Sequence, residues 1–193
     1  TNEVGIFEMA GNGLKSIENP SKIFLSERQI NASGSTIFPS MEGTRPILVE
    51  VQALVSNTNF STPQRNVNGF DRSRLSMLIA ILEKRLNISV SGNDIFVNVV
   101  GGMNINEPAA DMAVIAAIAS SNKNISINAE TILLGEIGLS GELRSINGIQ
   151  NRLKESNRLG FKQAIVPKRG KKSIEGIKEI VCKSVTEAFE VIF

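Results

Sequence analysis

Hydrophobic residues in the first half of the chain follow two different periods. Short β-branched and apolar runs predict strands, because alternate side chains of a strand face the same side. After Asp71, a good helix-capping residue, apolar positions recur every three or four residues and predict a helix with one buried face. The predicted strands lie at residues 4–9, 35–38, 46–55 and 94–100, and the helical apolar positions are Leu75, Leu78, Ile79, Leu82 and Leu86.

The second half of the chain alternates between predicted strands and helices. Pro108 suits the first turn of a helix, and the Ala-rich stretch after it predicts a helix that runs to about Ala119. This alternation predicts an α/β domain in which helices are layered on a sheet, and 193 residues suit one domain over 1–193. The other elements are strands at 131–135 and 163–166, a helix at 148–158, a basic loop at 167–172 and a strand–helix unit at 180–192.

Residues 56–69 are rich in Asn, Ser, Thr and Pro. Such a composition between predicted elements is typical of a loop, and its length predicts a mobile, functional one. Arg65 lies within this segment and is a candidate contact for a ligand.

Composition narrows the possible chemistry. Hydrophobic residues make up 41% and charged residues 21% of the chain, as is usual for a globular protein, and no apolar run has the roughly 18–20 residues of a membrane helix. We therefore expect no membrane partner. Because the chain has no His, a Ser-His-Asp triad and a His-ligated metal are excluded. The single Cys182 cannot form an internal disulfide, which favours a cytoplasmic protein. The missing initial Met indicates a fragment of a longer protein.

Basic residues are concentrated in one part of the sequence. The formal net charge is only +2, but residues 144–172 hold nine Lys and Arg against one acid, Glu155. This local excess is typical of a surface that binds phosphates. A solvated helix face followed by a basic loop explains the same pattern.

Four ordered segments resemble the Lon proteolytic domain, and two more resemble a narrower family, the RadA (Sms) family of bacterial DNA-repair ATPases. The Lon-like segments are FVNVVGG at 96–102, NEPAAD at 106–111, GEIGLSGELR at 135–144 and LGFKQAIVP at 159–167. The RadA-like segments are MEGTRPILVEVQALV at 41–55 and GFDRSR at 69–74. The resemblance implies an α/β fold with α+β layers, of the ribosomal protein S5 domain 2-like type.

The resemblance also locates the two reactive positions of the protease. Active Lon carries its serine nucleophile in a DGPSAG segment and its lysine in a GGLK segment; the matching segments here are NEPAAD and NGIQ at 147–150. Ala109 therefore replaces the serine and Gln150 replaces the lysine. Alanine has no nucleophile, and glutamine has no basic nitrogen, so we expect no catalytic residue in this chain.

Two other sets of residues carry side chains of catalytic type. Lys154 lies one turn beyond Gln150, and Ser140 and Ser145 are near in sequence, which leaves a relocated Ser-Lys dyad as an alternative. Glu107 and Asp111 form an acid pair at the start of the Ala-rich helix. Acids in that position complement the helix dipole, so a metal site is disfavoured.

RadA-family proteins resemble hexameric RecA-type helicases that drive branch migration during recombinational repair. The resemblance implies that this domain stacks in a homo-hexameric ring, binds single- or double-stranded DNA and works with a recombinase. ATP, Mg and Zn would be bound by the ATPase core and zinc element elsewhere in the longer protein, because this chain has no GxxxxGK motif and no Cys cluster. A second alternative is a partner-binding Lon-like scaffold, such as the one attached to magnesium-chelatase-type ATPases.

Candidate binding residues follow from the charge pattern together with this resemblance. Arg72 and Arg74 open a predicted helix, where cations oppose the dipole, so we expect them to face a partner at an oligomer interface or DNA. The candidate DNA-binding residues are Arg65, Arg152, Lys154, Arg158, Lys168, Arg169, Lys171 and Lys172.

Overall fold

The computed structural model describes residues 7–11, 13–17 and 20–193, and a mixed sheet is its main element. Seven strands form that sheet in the spatial order β11-β10-β7-β3-β4-β6-β5, while β1–β2 and β8–β9 are separate antiparallel pairs. The strands are β1 (Phe7–Ala10), β2 (Gly13–Ser16), β3 (Ser35–Glu42), β4 (Arg45–Asn57), β5 (Arg65–Asn68), β6 (Asn93–Val99), β7 (Thr131–Leu133), β8 (Glu136–Ile137), β9 (Leu143–Arg144), β10 (Gln163–Val166) and β11 (Lys178–Val181).

Antiparallel strands form the centre of the large sheet. β3 pairs along its full length with the first part of β4 through a two-residue turn, in which Gly43 has a left-handed φ of 63°. β4 also pairs antiparallel with β6. The outer pairs β5–β6, β3–β7, β7–β10 and β10–β11 are parallel and therefore need longer connections, several of which are helical.

Five α-helices in the described part of the chain cover the sheet, and the third is buried most deeply. All residues of 111–120 are buried, and small Ala side chains let this helix lie close to β3 and β4. The Thr36 hydroxyl donates to the Ala113 carbonyl over 3.0 Å across that contact. The helices are α1 (Pro20–Ser26), α2 (Arg72–Leu86), α3 (Asp111–Lys123), α4 (Ile149–Arg158) and α5 (Val185–Ile192), and a 3₁₀ turn at Pro108–Ala110 leads into α3.

The first helix lies on the other face of the sheet. Successive side chains of β4 point to opposite faces, so Glu50 and Gln52 face away from the side that carries Val51 and α3. Phe24 and Glu27 of the α1 region line a groove with Glu50 and Gln52. The domain thus has helices on both faces of its sheet.

The predicted α/β class is confirmed, and so is the Asp71 cap, whose carboxylate accepts the Arg74 N–H at 2.7 Å. The predicted strand at 4–9 is matched by β1 at its end, and residues 4–6 lie outside the described residues. The long loop predicted at 56–69 is wrong over part of its length. β4 extends to Asn57 and β5 begins at Arg65, because this polar segment supplies an edge strand that pairs parallel with β6.

No helix in the described part of the chain has the length and apolar character needed to cross a membrane.

Candidate functional site

Ala109 is the middle residue of the 3₁₀ turn that precedes α3. Its carbonyl accepts the Gly135 N–H at 3.0 Å, and the Gly135 carbonyl accepts the Met112 N–H at 3.1 Å. These two bonds fix the turn against the segment that follows β7. Ala109 is 5% exposed, and its methyl side chain cannot act as a nucleophile.

Gln150 lies in the first turn of α4 and holds the loop that follows β10. Its Nε2 donates to the Lys172 carbonyl at 2.9 Å, and its Oε1 accepts the Lys172 N–H at 3.0 Å. Both ends of the amide are therefore engaged with one backbone residue. At the position where the resemblance predicts that a general base is missing, Gln150 makes a structural contact.

Arg152 was a candidate DNA contact, and the structure contradicts this prediction. The side chain is almost fully buried and forms an ion pair with Glu107, with one Nη1–Oε1 distance of 3.0 Å. Arg152 also donates to the carbonyls of Pro39 and Asn147, and its guanidinium stacks 5.5 Å from the Phe38 ring centroid. Because all of these partners belong to the same chain, Arg152 joins α4 to the β3 strand and to the 3₁₀ turn.

Arg74 was predicted to face a partner, but it pairs inside its own chain. Its guanidinium contacts both carboxylate oxygens of Asp111, which also accepts the Ile137 N–H at 2.9 Å. The pKa of Asp111 is raised above its ordinary value, chiefly by burial and also by the charge of Glu136, although these three donors act in the opposite direction by favouring the carboxylate. The hydrogen bond to Asp111 raises the pKa of Arg74. We take the pair as ionised, because every donor points at the carboxylate. Arg72 is exposed, and its interface role stays a prediction.

Glu107 and Asp111 are therefore not an isolated acid pair, because each carboxylate binds its own arginine. Asp111 lies in the first turn of α3, as predicted, but its carboxylate also ties α3 to α2. Glu107 accepts the Met41 N–H at 2.8 Å in addition to Arg152. Among the described residues, no group of three or more metal-ligating side chains is present.

Arg65 does not lie on a mobile loop. It begins the edge strand β5, and its guanidinium donates to the carbonyls of Gln64 and Ser91 at 2.9 and 2.8 Å and also to the Asn93 carbonyl. These bonds hold the half-buried side chain against the β5–β6 edge. The DNA-binding role of Arg65 stays a prediction.

The remaining cations lie on α4 and on the loop that follows β10. Lys154 of α4 lines an open groove of about 490 Å³ with Gln150, Lys171, Lys172 and neighbouring loop residues. Lys168 and Arg169 are exposed on the same loop. Within the described residues none of these five cations forms an ion pair, whereas Arg158 is paired with Glu155 at 2.7 Å. We call the five, Lys154, Lys168, Arg169, Lys171 and Lys172, the basic surface.

Comparison with known proteins places this arrangement in a family. Residues 80–192 match the Lon protease (S16) C-terminal proteolytic domain. The chain belongs to that Lon family. The match confirms the resemblance inferred from the sequence, and the matched range includes both Ala109 and Gln150.

Relatives of the chain within bacteria carry the name DNA repair protein RadA. The chain is 45% identical over 193 residues to RadA of Aquifex aeolicus, covering all of this chain and 43% of the relative. It is 46% identical over 191 residues to RadA of Bacillus subtilis, covering 97% of this chain and 42% of the relative. With RadA of Streptococcus pneumoniae the identity is 46% over 192 residues, covering 100% and 46%. The chain thus spans less than half the length of these relatives.

The sequence did not reveal that Arg152 is buried, although its spacing held a signal. Ile149, Leu153 and Ser156 share one face of α4, and Arg152 lies between them at helical spacing. A cation on a buried helix face requires an acid partner. Glu107, immediately before Pro108, is that acid partner.

Proposed function

We propose that this Lon-family domain is a non-proteolytic part of a bacterial DNA repair ATPase and binds DNA through the basic surface. The observation that carries the proposal is a group of exposed cations without an ion-pair partner among the described residues: Lys154, Lys171 and Lys172 line one groove, and the other two are exposed on the same β10–β11 loop. The names of the relatives support the repair context.

Phosphate binding suits the geometry and chemistry of the basic surface. Exposed Lys and Arg side chains on a loop and a neighbouring helix can follow a backbone of regularly spaced phosphates without contacting bases. The groove is open rather than enclosed, as a polymer requires. Binding by such contacts is independent of sequence and accepts single- or double-stranded DNA.

The direct test replaces Lys168, Arg169, Lys171 and Lys172 by Glu. In a fluorescence-anisotropy titration with labelled DNA at low salt, the unmodified chain should bind and the variant should not. Circular dichroism and thermal melting should show the same fold for both, since all four side chains are exposed. Failure of the unmodified chain to bind at low salt would refute DNA contact by this domain.

The absence of peptidase activity is part of the proposal. Ala109 has no hydroxyl, Gln150 is bound to the loop backbone, and Lys154 lies in an open groove beside Lys171 and Lys172. A neutral lysine base requires desolvation, which this setting does not provide. Ser140 and Ser145 are exposed, and no hydrogen bond joins either to Lys154. Casein cleavage that disappears in Lys154→Ala would restore the alternative of a relocated dyad.

We further propose that the domain supports a homo-hexameric ring in the longer, cytoplasmic protein. ATP, Mg and Zn would be bound by other parts of that protein, and branch migration with a recombinase would be its activity. Arg72 is the remaining candidate at the ring interface, because it is exposed and unpaired among the described residues. Light scattering across a concentration series tests self-association; a strict monomer at high concentration would favour the alternative of a partner-binding scaffold.

A further inference from the structure

The basic surface is held in shape by side chains that are themselves uncharged or acidic. The connection between β10 and β11 covers residues 167–177 and contains no helix or strand. A segment of this length would ordinarily be mobile. Here several side chains bind its backbone at separate points, and Gln150 is the most closely engaged of them.

Gln150 contacts the loop at two neighbouring positions. Its amide forms the paired bonds to the Lys172 N–H and carbonyl, as a neighbouring strand would. The loop also passes against it at Gly170, where an added Cβ would lie 2.7 Å from Gln150 Oε1 and 3.4 Å from Leu153 Cδ1. Only glycine lets the backbone lie this close to α4 without displacing the amide.

Two further contacts fix the rest of the connection. The Gly170 N–H donates to Glu179 Oε2 of β11 at 2.7 Å. Asn157 lies seven residues after Gln150, two helical turns along α4, and its Nδ2 donates to the Glu175 carbonyl at 2.9 Å. The helix therefore carries two polar contacts, one near each end, that set the course of the loop backbone beside it.

The Gln150 amide does not serve its own helix. The N-cap of α4 is Gly148, which makes no side-chain cap, and the hydrogen-bond partners of Gln150 belong to the loop instead. Lys172 is the residue whose backbone Gln150 binds, and Lys171 precedes it. Lys154 lies one turn further along the helix and lines the same groove. Fixing the Lys172 backbone thus fixes how far the loop cations stand from the helix cation.

We propose that Gln150 is a positioning residue for DNA binding: it preorganises the β10–β11 loop so that Lys171 and Lys172 stand beside Lys154 before DNA arrives. The inference rests on the proposed DNA-binding function and assigns a task to the position where active family members carry lysine. Without the contact, the loop cations remain present but must be ordered on binding, which weakens affinity without removing phosphate contacts.

The test uses Gln150→Met, which keeps the length and charge of the side chain and removes both hydrogen bonds. Asn151→Met is the matched control, because Asn151 is the next residue of α4, is exposed and makes no side-chain hydrogen bond among the described residues. Gly170→Ala disturbs the same contact from the loop side. Each is titrated with labelled DNA across a salt series, and backbone amide exchange is measured without DNA.

Gln150→Met and Gly170→Ala should raise the Kd about 3- to 10-fold at every salt concentration, with an unchanged slope of log K against log salt. The Lys172 amide should lose its protection from exchange in Gln150→Met, while the amides of β10 and β11 keep theirs. Asn151→Met should match the unmodified chain. A Kd within twofold of the control, or an unprotected Lys172 amide in the unmodified chain, overturns the positioning role. No binding by the unmodified chain defeats the proposed function itself.

Discussion

Two groups of cations in this domain look alike in sequence but differ in structure. Arg152 and Arg74 bind carboxylates of the same chain, and Arg152 is 1% exposed. The basic surface projects from a loop and one helix face without a carboxylate partner among the described residues. Removing one member of a buried pair leaves an uncompensated charge, whereas removing an exposed cation costs little stability. The first group therefore maintains the fold, and the second is free to bind.

The largest effect is expected at Arg152. Arg152→Met removes an ion pair, two carbonyl contacts and the stacking on Phe38, and it leaves Glu107 without its arginine. We expect a loss of about 3–5 kcal/mol in the free energy of unfolding. Urea denaturation measures it, with Arg158→Met as the control, since Arg158 pairs at the surface and should change stability far less. Equal losses in the two variants would contradict the division into groups.

The Arg74–Asp111 pair should show a smaller but coupled effect. Arg74→Met and Asp111→Asn each remove one partner of a pair in which Asp111 is fully buried and Arg74 is a quarter exposed. We expect each to cost roughly 2–3 kcal/mol, and the double variant to cost less than their sum. A double-mutant cycle of unfolding free energies measures the coupling; strict additivity would show that the pair contributes nothing as a pair.

DNA affinity should depend on unpaired cations more than on paired ones. Lys154→Gln removes an unpaired cation from the groove, whereas Arg158→Gln removes one already paired with Glu155 on the same helix. We expect Lys154→Gln to weaken DNA binding about 3- to 10-fold at low salt and Arg158→Gln to weaken it less than twofold. Anisotropy titrations decide; the reverse order would place the DNA path along the other side of α4.

The smallest effect is expected when Arg158 is released. Glu155→Gln removes the only acid between residues 144 and 172 and frees the guanidinium that it binds. DNA affinity at low salt should rise by no more than about twofold, because an exposed pair of this kind is weak and screened. A loss of affinity in the same titration would mean that Glu155 positions Arg158 for binding.

The sequence predicted the helices and strands better than it predicted which charged side chains form ion pairs. Asp71, the period of α2 and the Ala-rich stretch of α3 specify structure locally, so these elements were predicted close to their observed bounds. The edge strand β5 was missed because its four residues, RNVN, have little apolar content, and its pairing with β6 is set by the sheet. Local propensity contains no information on such a partner.

The candidate site divides in the same way. Motifs singled out Ala109 and Gln150, whose match to the protease positions stays a prediction, and a dense local charge pattern singled out Lys154 and the loop cations. Arg152 and Arg74 were assigned to partners outside the chain because their acids lie 45 and 37 residues away in sequence. An arginine looks the same in the sequence whether or not it has an acid partner, and only the tertiary fold shows which is the case.

The most direct test of the account is the salt dependence of DNA binding by the unmodified chain and by a variant in which Lys168, Arg169, Lys171 and Lys172 are all replaced by Gln. The number of phosphates neutralised sets the slope of log K against log salt, at about 0.9 per contact for duplex DNA. We expect a steep slope for the unmodified chain and a slope shallower by about 3.6 for the variant, which lacks four contacts, at unchanged folding stability. Equal slopes for the two proteins would contradict it.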